Sequence, residues 1–379
     1  MITDRQARMG LLTASDSGDA GLAKLVRERG AIEVWQYLRS DHAATAMAQR
    51  AKQIDVDDLA RQTKDIKAEF LIPGDPGWPV KVDDLAWSDL VGGFGGEPLG
   101  LWVKGVADLA GSAPSLAMVG SRASTAYGEF VAANWAAEIA ERGYPVVSGG
   151  AYGIDAAAHR GAMTVSGTTI AVMAGGLARP YPAGNTNLIQ AMQEQGAILS
   201  EFPPYRAPSR SRFLARNRVI AALAQATIVV EAASRSGANN TASWAMSLQR
   251  PVLAVPGPVT SAMSITPHRL IRNLEATLVS CVGEVFDAIM PLDSRIPDYL
   301  HQQPTIFDTL SAGQRRVHEA LPSVRGISVD ELSVLTGENA QSLMVCLAQL
   351  NQMGLASQPT PGIWRASTKP VAVNSKNQD

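Results

Sequence analysis

The sequence predicts an α/β fold in which a mostly parallel sheet core follows a small helical domain and precedes a winged-helix domain. From about residue 98 to residue 290, short apolar runs typical of strands alternate with helical patterns. Continuous apolar strands separated by amphipathic helices are typical of a parallel sheet that helices cover on both faces. Before residue 68 the apolar residues recur at helical spacing, and after residue 309 three helical stretches precede a hairpin pattern.

The composition is that of a globular protein with more than one domain. The chain has 379 residues, of which 46% are hydrophobic and 18% are charged. The two cysteines, Cys281 and Cys346, have no CxxC neighbour, which argues against a disulfide framework or a zinc site. The sequence has no apolar signal region at its start and no apolar run of membrane-spanning length. We therefore expect a cytoplasmic protein without membrane insertion.

The helical N-terminal domain is predicted from apolar residues that lie three and four positions apart. Val34, Trp35 and Leu38 form one such set. The segment Ile72–Pro79 cannot continue a helix, because its three prolines lack N–H donors. A domain boundary is therefore expected near this segment.

Eight candidate strands make up the predicted sheet core. They are Leu101–Val103, Leu116–Val119, Pro145–Ser148, Thr168–Met173, Ile198–Ser200, Thr227–Glu231, Val252–Val255 and Thr277–Val279. Ligands of such sheets bind at the carboxyl ends of the strands, so the loops that follow the strands are the candidate sites.

The charge distribution indicates a local rather than a general nucleic-acid surface. The formal net charge is -2, which argues against a protein coated in positive potential. Between Glu201 and Glu231, however, there is no acidic residue, and five arginines fall inside this window. They are Arg206, Arg210, Arg212, Arg216 and Arg218.

Two loops that follow strands have the composition of anion sites. Their residues are Gly120, Ser121 and Arg122 in the first loop, and Ser148, Gly149, Gly150 and Gly153 in the second. Glycine lets an anion approach the backbone, amides at a helix N-terminus point at the anion, and arginine adds a charged fork. The two loops at neighbouring strand ends would form one cleft. A tight turn with a surface arginine is the alternative for the first loop.

Neither loop carries the fingerprint of a dinucleotide site, and no cofactor is expected. The pattern G-x-G-x-x-G with a later acidic residue is absent at both loops, and the chain has no Walker A sequence. The histidines show no metal-ligand spacing, so no metal site is expected either. Asp155 and His159 stand four apart, as an acid-base pair could, but an aspartate in a first helical turn ordinarily caps free amides.

The window without acidic residues contains a helical pattern that suits a single nucleic-acid strand. If the helix begins near Ser209, Arg212 and Arg216 share one face and Phe213 projects beside them. Phosphates need cations and unstacked bases need a ring face, so basic groups beside an aromatic favour single-strand binding. The alternative is a solvated basic face whose Phe213 belongs to the core.

A third strand-loop-helix junction runs from Glu231 to Thr241. Ser236, Gly237 and Thr241 are anion-site residues by type. A plain helix cap explains them about equally well.

A series of short motifs runs through the predicted sheet core. They include Trp78-Pro79, Val119-Gly120-Ser121-Arg122, Ser148-Gly149-Gly150, Gly153-Ile154-Asp155, Gly175-Gly176-Leu177, Tyr181-Pro182, Ser200-Glu201-Phe202-Pro203-Pro204, Arg216-Asn217-Arg218, Ser234-Arg235-Ser236-Gly237 and Val255-Pro256-Gly257. Taken in this order, over about residues 78 to 287, they resemble the motifs of DNA-processing protein A, the DprA/Smf family.

The resemblance implies a Rossmann-like core, a homodimer and the binding of single-stranded DNA. It also implies protection of incoming DNA and its delivery to the RecA recombinase during natural transformation and recombination, without catalysis. By motif position, Arg122 and the helix that contains Phe213 would line the DNA groove. The predicted DNA-binding residues are Gly120, Ser121, Arg122, Ser148, Gly149, Gly150, Gly153, Arg210, Phe213, Arg216, Asn217, Arg218, Ser236, Gly237 and Thr241.

Five segments are predicted along the chain. They are a helical, SAM-like N-terminal domain (1–70), a Rossmann-like DNA-binding core (71–290), a linker (291–308), a winged-helix-like domain (309–368) and a disordered tail (369–379). The linker and the tail are predicted from their polar composition. The predicted recognition helix of the winged helix, Asn339–Gln352, contains no lysine or arginine. Groove-binding helices depend on cations, so we expect this domain to contact protein rather than DNA.

Two other functions fit the same fold. One is a nucleoside-monophosphate phosphoribohydrolase, which uses a G-G-x-G-T-x-x-E loop. If Thr241 takes the threonine position, Trp244 falls where the catalytic glutamate belongs, and the acid-base carboxylate is missing there. The other is a nucleotide-sensing adaptor whose cleft binds a mononucleotide, since anion loops do not reveal the length of the ligand.

Overall fold

The computed structural model describes residues 1–15, 18–111, 114–234, 236–290 and 310–367. The chain divides into two compact units, Met1–Arg295 and Ile296–Asp379. The predicted linker at 291–308 and the predicted tail at 369–379 lie outside the described residues.

Five helices open the first unit, and side-chain caps set where most of them begin. The helices are α1 (Asp4–Ala14), α2 (Ala20–Arg29), α3 (Ala31–Arg39), α4 (Ala46–Gln53) and α5 (Val56–Asp65). Thr3 and Gln6 form a reciprocal capping box at α1, and Asp19 caps α2 through the amide of Leu22. Such caps satisfy amide donors that have no partner inside the helix. The predicted helical character of this segment is confirmed.

The N-terminal helices pack directly against the sheet. Their buried residues, among them Leu11 and Trp35, belong to one hydrophobic cluster with Trp102 and Ile198 of the sheet. The indole N–H of Trp102 donates to Thr63 Oγ1 at 2.9 Å. The domain boundary near residue 70 stays a prediction, but the apolar surface of these helices is buried against the core that follows.

Nine strands form the sheet of the first unit. They are β1 (Glu69–Leu71), β2 (Leu101–Gly105), β3 (Ser115–Val119), β4 (Val146–Ser148), β5 (Thr169–Val172), β6 (Ala197–Ser200), β7 (Ala224–Val229), β8 (Val252–Ala254) and β9 (Thr277–Leu278). Their order is β1-β2-β6-β5-β4-β3-β7-β8-β9, with β1-β2 and β2-β6 antiparallel and all other pairs parallel. The sequence analysis missed β1, whose three residues begin with the charged Glu69 and so do not form an apolar run.

Helices cover both faces of this sheet, as predicted. They are α6 (Ala126–Glu141), α7 (Ile154–Thr164), α8 (Thr186–Gln195), α9 (Arg210–Leu223), α10 (Gly237–Ser247), α11 (Ile265–Arg272) and α12 (Val282–Ile289). Val119 and Val147 face one layer with α9 and α10, and Leu116 and Met118 face the other with α6 and α7. The Rossmann-like fold class is confirmed.

The strand order creates a switch point between β3 and β7. From β3 the chain continues to β4, β5 and β6 on one side, and then returns to β7, β8 and β9 on the other. The connections after β3 and β7 therefore leave the sheet in opposite directions, which opens a crevice at the carboxyl edge.

The second unit has the element order of a winged helix. Its elements are α13 (Ala312–Ala320), β10 (Ile327–Ser328), α14 (Val329–Thr336), α15 (Ala340–Gln352), β11 (Ala356–Thr360) and β12 (Ile363–Ala366). The three strands form one sheet in the order β10-β12-β11. Leu332, Leu343, Leu347 and Trp364 lie in its buried core. The winged-helix prediction is confirmed, and the sequence missed only the two-residue strand β10.

Candidate nucleic-acid interface

A cleft of about 550 Å³ lies at the switch point, between the loops after β3 and β7 and one face of α9. We call it the switch-point cleft. It brings together predicted residues from three separate segments of the chain. They are Gly120, Ser121, Arg122, Phe213, Arg216, Asn217, Ser236, Gly237 and Thr241.

Arg122 and Phe213 form a pair at the wall of this cleft. Arg122 is exposed, and its guanidinium carbon lies 4.3 Å from the centroid of the Phe213 ring. Phe213 is half-buried at the start of α9, where the side chain of Ser209 caps the helix by accepting from the Arg212 amide. The ring of Tyr181 approaches Phe213 at 5.9 Å between centroids. The pair therefore presents a cation and an aromatic ring at one place on the surface.

The N-terminus of α6, expected to face an anion, is already occupied by the protein's own Glu231. The backbone amide of Thr125 donates to one carboxylate oxygen of Glu231 at 2.8 Å, and its hydroxyl donates to the other at 2.7 Å. Glu231 is buried, and its carbonyl accepts from the Ser121 amide at 2.6 Å. A carboxylate at this position stabilises the positive end of the helix dipole. An external phosphate at the first loop would therefore contact Arg122 rather than these amides.

The second predicted anion loop is likewise filled from within. The buried carboxylate of Asp155 accepts from the amides of Gly149 and Ala151 at 3.2 and 3.3 Å. Ser148 is fully buried and donates to the carbonyl of Met118 at 2.6 Å. These internal contacts argue against contact between DNA and Ser148 or the Gly149 amide, and such contact stays a prediction. The loop amides bind a carboxylate of this chain instead.

Glycines in the second loop have a backbone role. Gly150 and Gly153 adopt φ of 67° and 74°, a region that favours glycine. A Cβ on Gly153 would lie 2.3 Å from the carbonyl oxygen of Ser121. Gly153 thus lets the loops after β3 and β4 approach each other closely, and direct contact with DNA stays a prediction for both glycines.

Arg216 lines the cleft but is only 4% exposed, so most of its side chain lies beneath the surface of the cleft. It donates to the carbonyl oxygen of Gly149 at 2.8 Å and also to that of Val172. Burial lowers its pKa to about 10, with Asp155 opposing the shift, so it stays cationic at neutral pH. In this structure its guanidinium contacts Gly149 after β4 and Val172 at the end of β5, and its expected contact with phosphate stays a prediction.

Arg218, two residues later, is not in the cleft. It is 1% exposed and forms a two-oxygen ion pair with the buried carboxylate of Glu201, with Nη2 to Oε1 at 2.7 Å. Its Nε donates to the carbonyl of Gly96 at 2.9 Å. Every described contact of its guanidinium faces inward, so this geometry argues against contact between Arg218 and DNA, and that contact stays a prediction.

The remaining predicted residues surround the cleft in different ways. Ser236 caps α10 by accepting from the Ala238 amide, as the plain-cap alternative expects. The Asn217 side chain donates to the carbonyl of Gly237 at 3.3 Å and so ties α9 to α10. Thr241 is buried beneath the cleft, and Arg210 is exposed in the first turn of α9.

Comparison with known proteins identifies the family. The sequence profile of the DNA recombination-mediator protein A family matches residues 69–290. A DprA-type protein of Mycobacterium tuberculosis is 42% identical over 361 residues, which cover 91% of this chain and 90% of that protein. This chain belongs to the DNA recombination-mediator protein A family.

Two solved structures of DNA processing protein A are similar to this member of the DNA recombination-mediator protein A family. The X-ray structure from Streptococcus pneumoniae matches with a TM-score of 0.64 and 29% identity, covering 76% of this chain and 99% of that chain. A structure from Helicobacter pylori matches with a TM-score of 0.51 and 26% identity, covering 59% and 96%. The latter concerns the single-stranded DNA binding mode of the Helicobacter protein.

Asp155 and His159 do not form an acid-base pair in this family member. His159 Nδ1 lies 2.6 Å from Thr169 Oγ1, and the ring is fully buried. Burial, with the charges of Arg216 and Arg160, lowers the pKa of His159 to about 3, so the ring is neutral. Burial raises the pKa of Asp155, while Arg216 and the loop amides oppose that shift. The capping interpretation of Asp155 is the one the geometry supports.

The position required for phosphoribohydrolase chemistry holds a buried indole. Trp244 lies inside α10 and is 0% exposed.

The described ranges contain no group of three or more His, Cys, Asp or Glu side chains that could hold a metal ion. Within the same ranges, no helix is long and apolar enough to cross a membrane.

Sequence reasoning missed the aromatic side chains next to Phe213. Tyr152, Arg179 and Tyr181 line a narrow slot that also borders Arg122 and Phe213. Tyr181-Pro182 was noticed as a motif without a role, and Tyr152 lies inside the second glycine loop. Their proximity to Phe213 depends on packing across about 30 to 60 residues of sequence, and no local pattern reports it.

Proposed function

We propose that this protein binds single-stranded DNA at the carboxyl edge of its sheet, with Arg122 on a phosphate and Phe213 against a base. The observation that carries the proposal is the exposed guanidinium of Arg122 against the half-buried ring of Phe213, at the wall of the switch-point cleft. The Helicobacter protein, whose structure concerns binding of single-stranded DNA, supports the same ligand for this chain.

The chemistry of the cleft favours a single strand over a duplex. Cations neutralise phosphates in either form, but an aromatic ring stacks only on a base that is free of its neighbours. Arg122 and Arg210 are exposed around Phe213. The buried charge of Arg216 lies 5.6 Å from the same ring and adds positive potential beneath it.

Family membership supports a role in DNA processing during transformation and recombination. On this basis we propose that the protein protects incoming single strands and loads the RecA recombinase on them. We further propose that it acts in the cytoplasm as a homodimer without catalytic activity. RecA loading is tested by RecA-driven strand exchange on DNA coated with a single-strand-binding protein, and the dimer by light scattering.

A mobility-shift series tests the binding proposal. Single- and double-stranded oligonucleotides of several lengths are titrated at two salt concentrations, with nucleoside monophosphates as competitors. We expect binding to single strands that weakens as salt rises, because bound phosphates release counterions. Equal affinity for mononucleotides and oligomers would favour the adaptor instead, and release of a base from a nucleoside monophosphate would favour the phosphoribohydrolase.

A further inference from the structure

A second recess adjoins the switch-point cleft on the far side of the Arg122–Phe213 pair. It is lined by three aromatic rings and two guanidinium groups, and we call it the tyrosine slot. The rings are those of Tyr152, Tyr181 and Phe213, and the cations are Arg122 and Arg179. Its described lining contains no carboxylate.

Arg122 and Phe213 border both the slot and the cleft, so together they act as a partition. A strand that places a phosphate on Arg122 would have one neighbouring nucleotide on the cleft side and the next on the slot side. The face of Phe213 beneath Arg122 is already covered by the guanidinium at 4.3 Å. A base on the slot side therefore needs another ring face.

Tyr181 offers such a face. The residue is 46% exposed although its ring lies 5.9 Å from that of Phe213 between centroids, at an interplanar angle of 57°. Tyr152, which also lines the slot, is 48% exposed, and its hydroxyl accepts from the Gly184 amide at 3.2 Å. The slot itself holds only about 30 Å³, against about 550 Å³ in the cleft. Stacking requires an exposed face rather than a deep cavity, and the slot mouth supplies that face.

We propose that the mouth of the tyrosine slot binds one nucleobase of single-stranded DNA, stacked on Tyr181, with the exposed Arg179 on the adjoining phosphate. The proposal rests on single-strand binding at the switch-point cleft and extends the path of the strand beyond it. The occupant is a base because the slot combines aromatic faces with flanking cations, the two groups that a nucleotide requires.

Two DNA probes test whether Tyr181 recognises a base. One is an oligo-dT strand, and the other is a strand of the same length whose bases are all replaced by abasic sites. Tyr181→Ala should weaken binding of oligo-dT by roughly 5- to 140-fold, the range for loss of one stacked base. It should leave binding of the abasic strand unchanged, because the phosphates still meet Arg122 and Arg179.

Three further variants separate the loss of a stacked base from other effects of the Tyr181 substitution. Tyr181→Phe should retain oligo-dT affinity, since the ring face remains. Tyr37→Ala removes a comparably exposed tyrosine from α3, far from both recesses in sequence, and should change neither probe. Arg179→Ala should weaken both probes equally and should flatten the salt dependence by about 0.7, the value for one phosphate contact on a single strand. This last variant also tests the proposal if Tyr181→Ala folds poorly.

Failure of this inference can be told apart from failure of the proposed function. If Arg122→Ala weakens both probes while Tyr181→Ala and Arg179→Ala match the wild-type protein, the strand does not enter the slot and the proposed function stands. If Tyr181→Ala weakens both probes equally, the tyrosine supports the fold and does not stack on a base. If the wild-type protein binds neither probe, the proposed function itself fails.

Discussion

Each of the two faces of α9 carries a buried arginine, but the two arginines have different surroundings. On the cleft face, Phe213, Arg216 and Asn217 border the switch-point cleft. On the back face, Arg218 is paired with Glu201 and bonded to the carbonyl of Gly96 in a buried layer. Arg216 and Arg218 are two positions apart and nearly equally buried. Arg216 nevertheless lines the switch-point cleft, whereas Arg218 forms an ion pair with Glu201 away from it.

This difference shows that the burial and the partners of each arginine in a basic helix must be known before its charge is assigned to a ligand. From Ala215 to Leu223 every residue of α9 is buried, whereas Arg210 to Leu214 stay exposed or half-buried. The first turn of the helix therefore supplies exposed groups, and the later turns supply buried ones, of which Arg216 and Asn217 still border the cleft. Four experiments follow, from the largest expected effect to the smallest; the first two test this division within α9, and the last two test the residues outside it.

Replacement of Arg218 should damage the fold and spare the site. Arg218→Met leaves the buried carboxylate of Glu201 without its partner, which should lower the free energy of unfolding by about 3 to 5 kcal/mol. Chemical denaturation measures the loss. Arg210→Met, in the exposed first turn, is the matched control and should change stability by no more than about 0.5 kcal/mol. If Arg218→Met folds with wild-type stability and loses DNA, the back face has been misassigned.

Replacement of Phe213 should affect binding more than folding. Phe213→Ala should cost about 1 to 3 kcal/mol in affinity for single strands, because it removes a ring from the wall of the cleft. Fluorescence anisotropy gives the affinity, and the thermal midpoint gives the stability. A variant that melts several degrees lower but keeps its affinity per folded molecule would place Phe213 in the core with the back-face residues.

Replacement of Arg122 should have a smaller effect that does not depend on sequence. Arg122→Ala should weaken binding to all single strands about equally and should flatten the slope of log affinity against log salt by roughly 0.7. Anisotropy titrations at several salt concentrations measure both quantities. An unchanged slope would mean that Arg122 is a turn residue whose charge rests on Phe213 without meeting a phosphate.

Removal of the winged-helix unit should have the smallest effect. A chain ending near Pro291 should keep single-strand affinity within about tenfold, because α15 has no lysine or arginine to neutralise phosphate. Two basic residues of α13, Arg315 and Arg316, lie elsewhere in the unit, and Arg316 is paired with Glu338. A loss of single-strand affinity well beyond tenfold, in a folded chain of unchanged oligomeric state, would show that the winged-helix unit binds DNA although α15 has no lysine or arginine.

The sequence by itself determined the architecture of this protein. Apolar runs alternating with helical patterns predicted the parallel sheet, and all eight candidate strands correspond to β2 through β9 with ends shifted by no more than three residues. The conditional helix start near Ser209 agrees with the first turn of α9, and the order of motifs identified the family. These features are local, because hydrophobic periodicity, caps and short motifs are set by neighbours along the chain.

Only the tertiary structure decided where the candidate residues lie and what they contact within the chain. Glu231 and Asp155 occupy the amides that the two glycine loops were expected to offer, and Arg218 turns into the core. Tyr181 reaches Phe213 from 32 positions earlier in the chain. Burial and contact across the sheet depend on residues that are distant in sequence. No local pattern could therefore distinguish the exposed Arg122 from Arg218, which is paired with the carboxylate of Glu201.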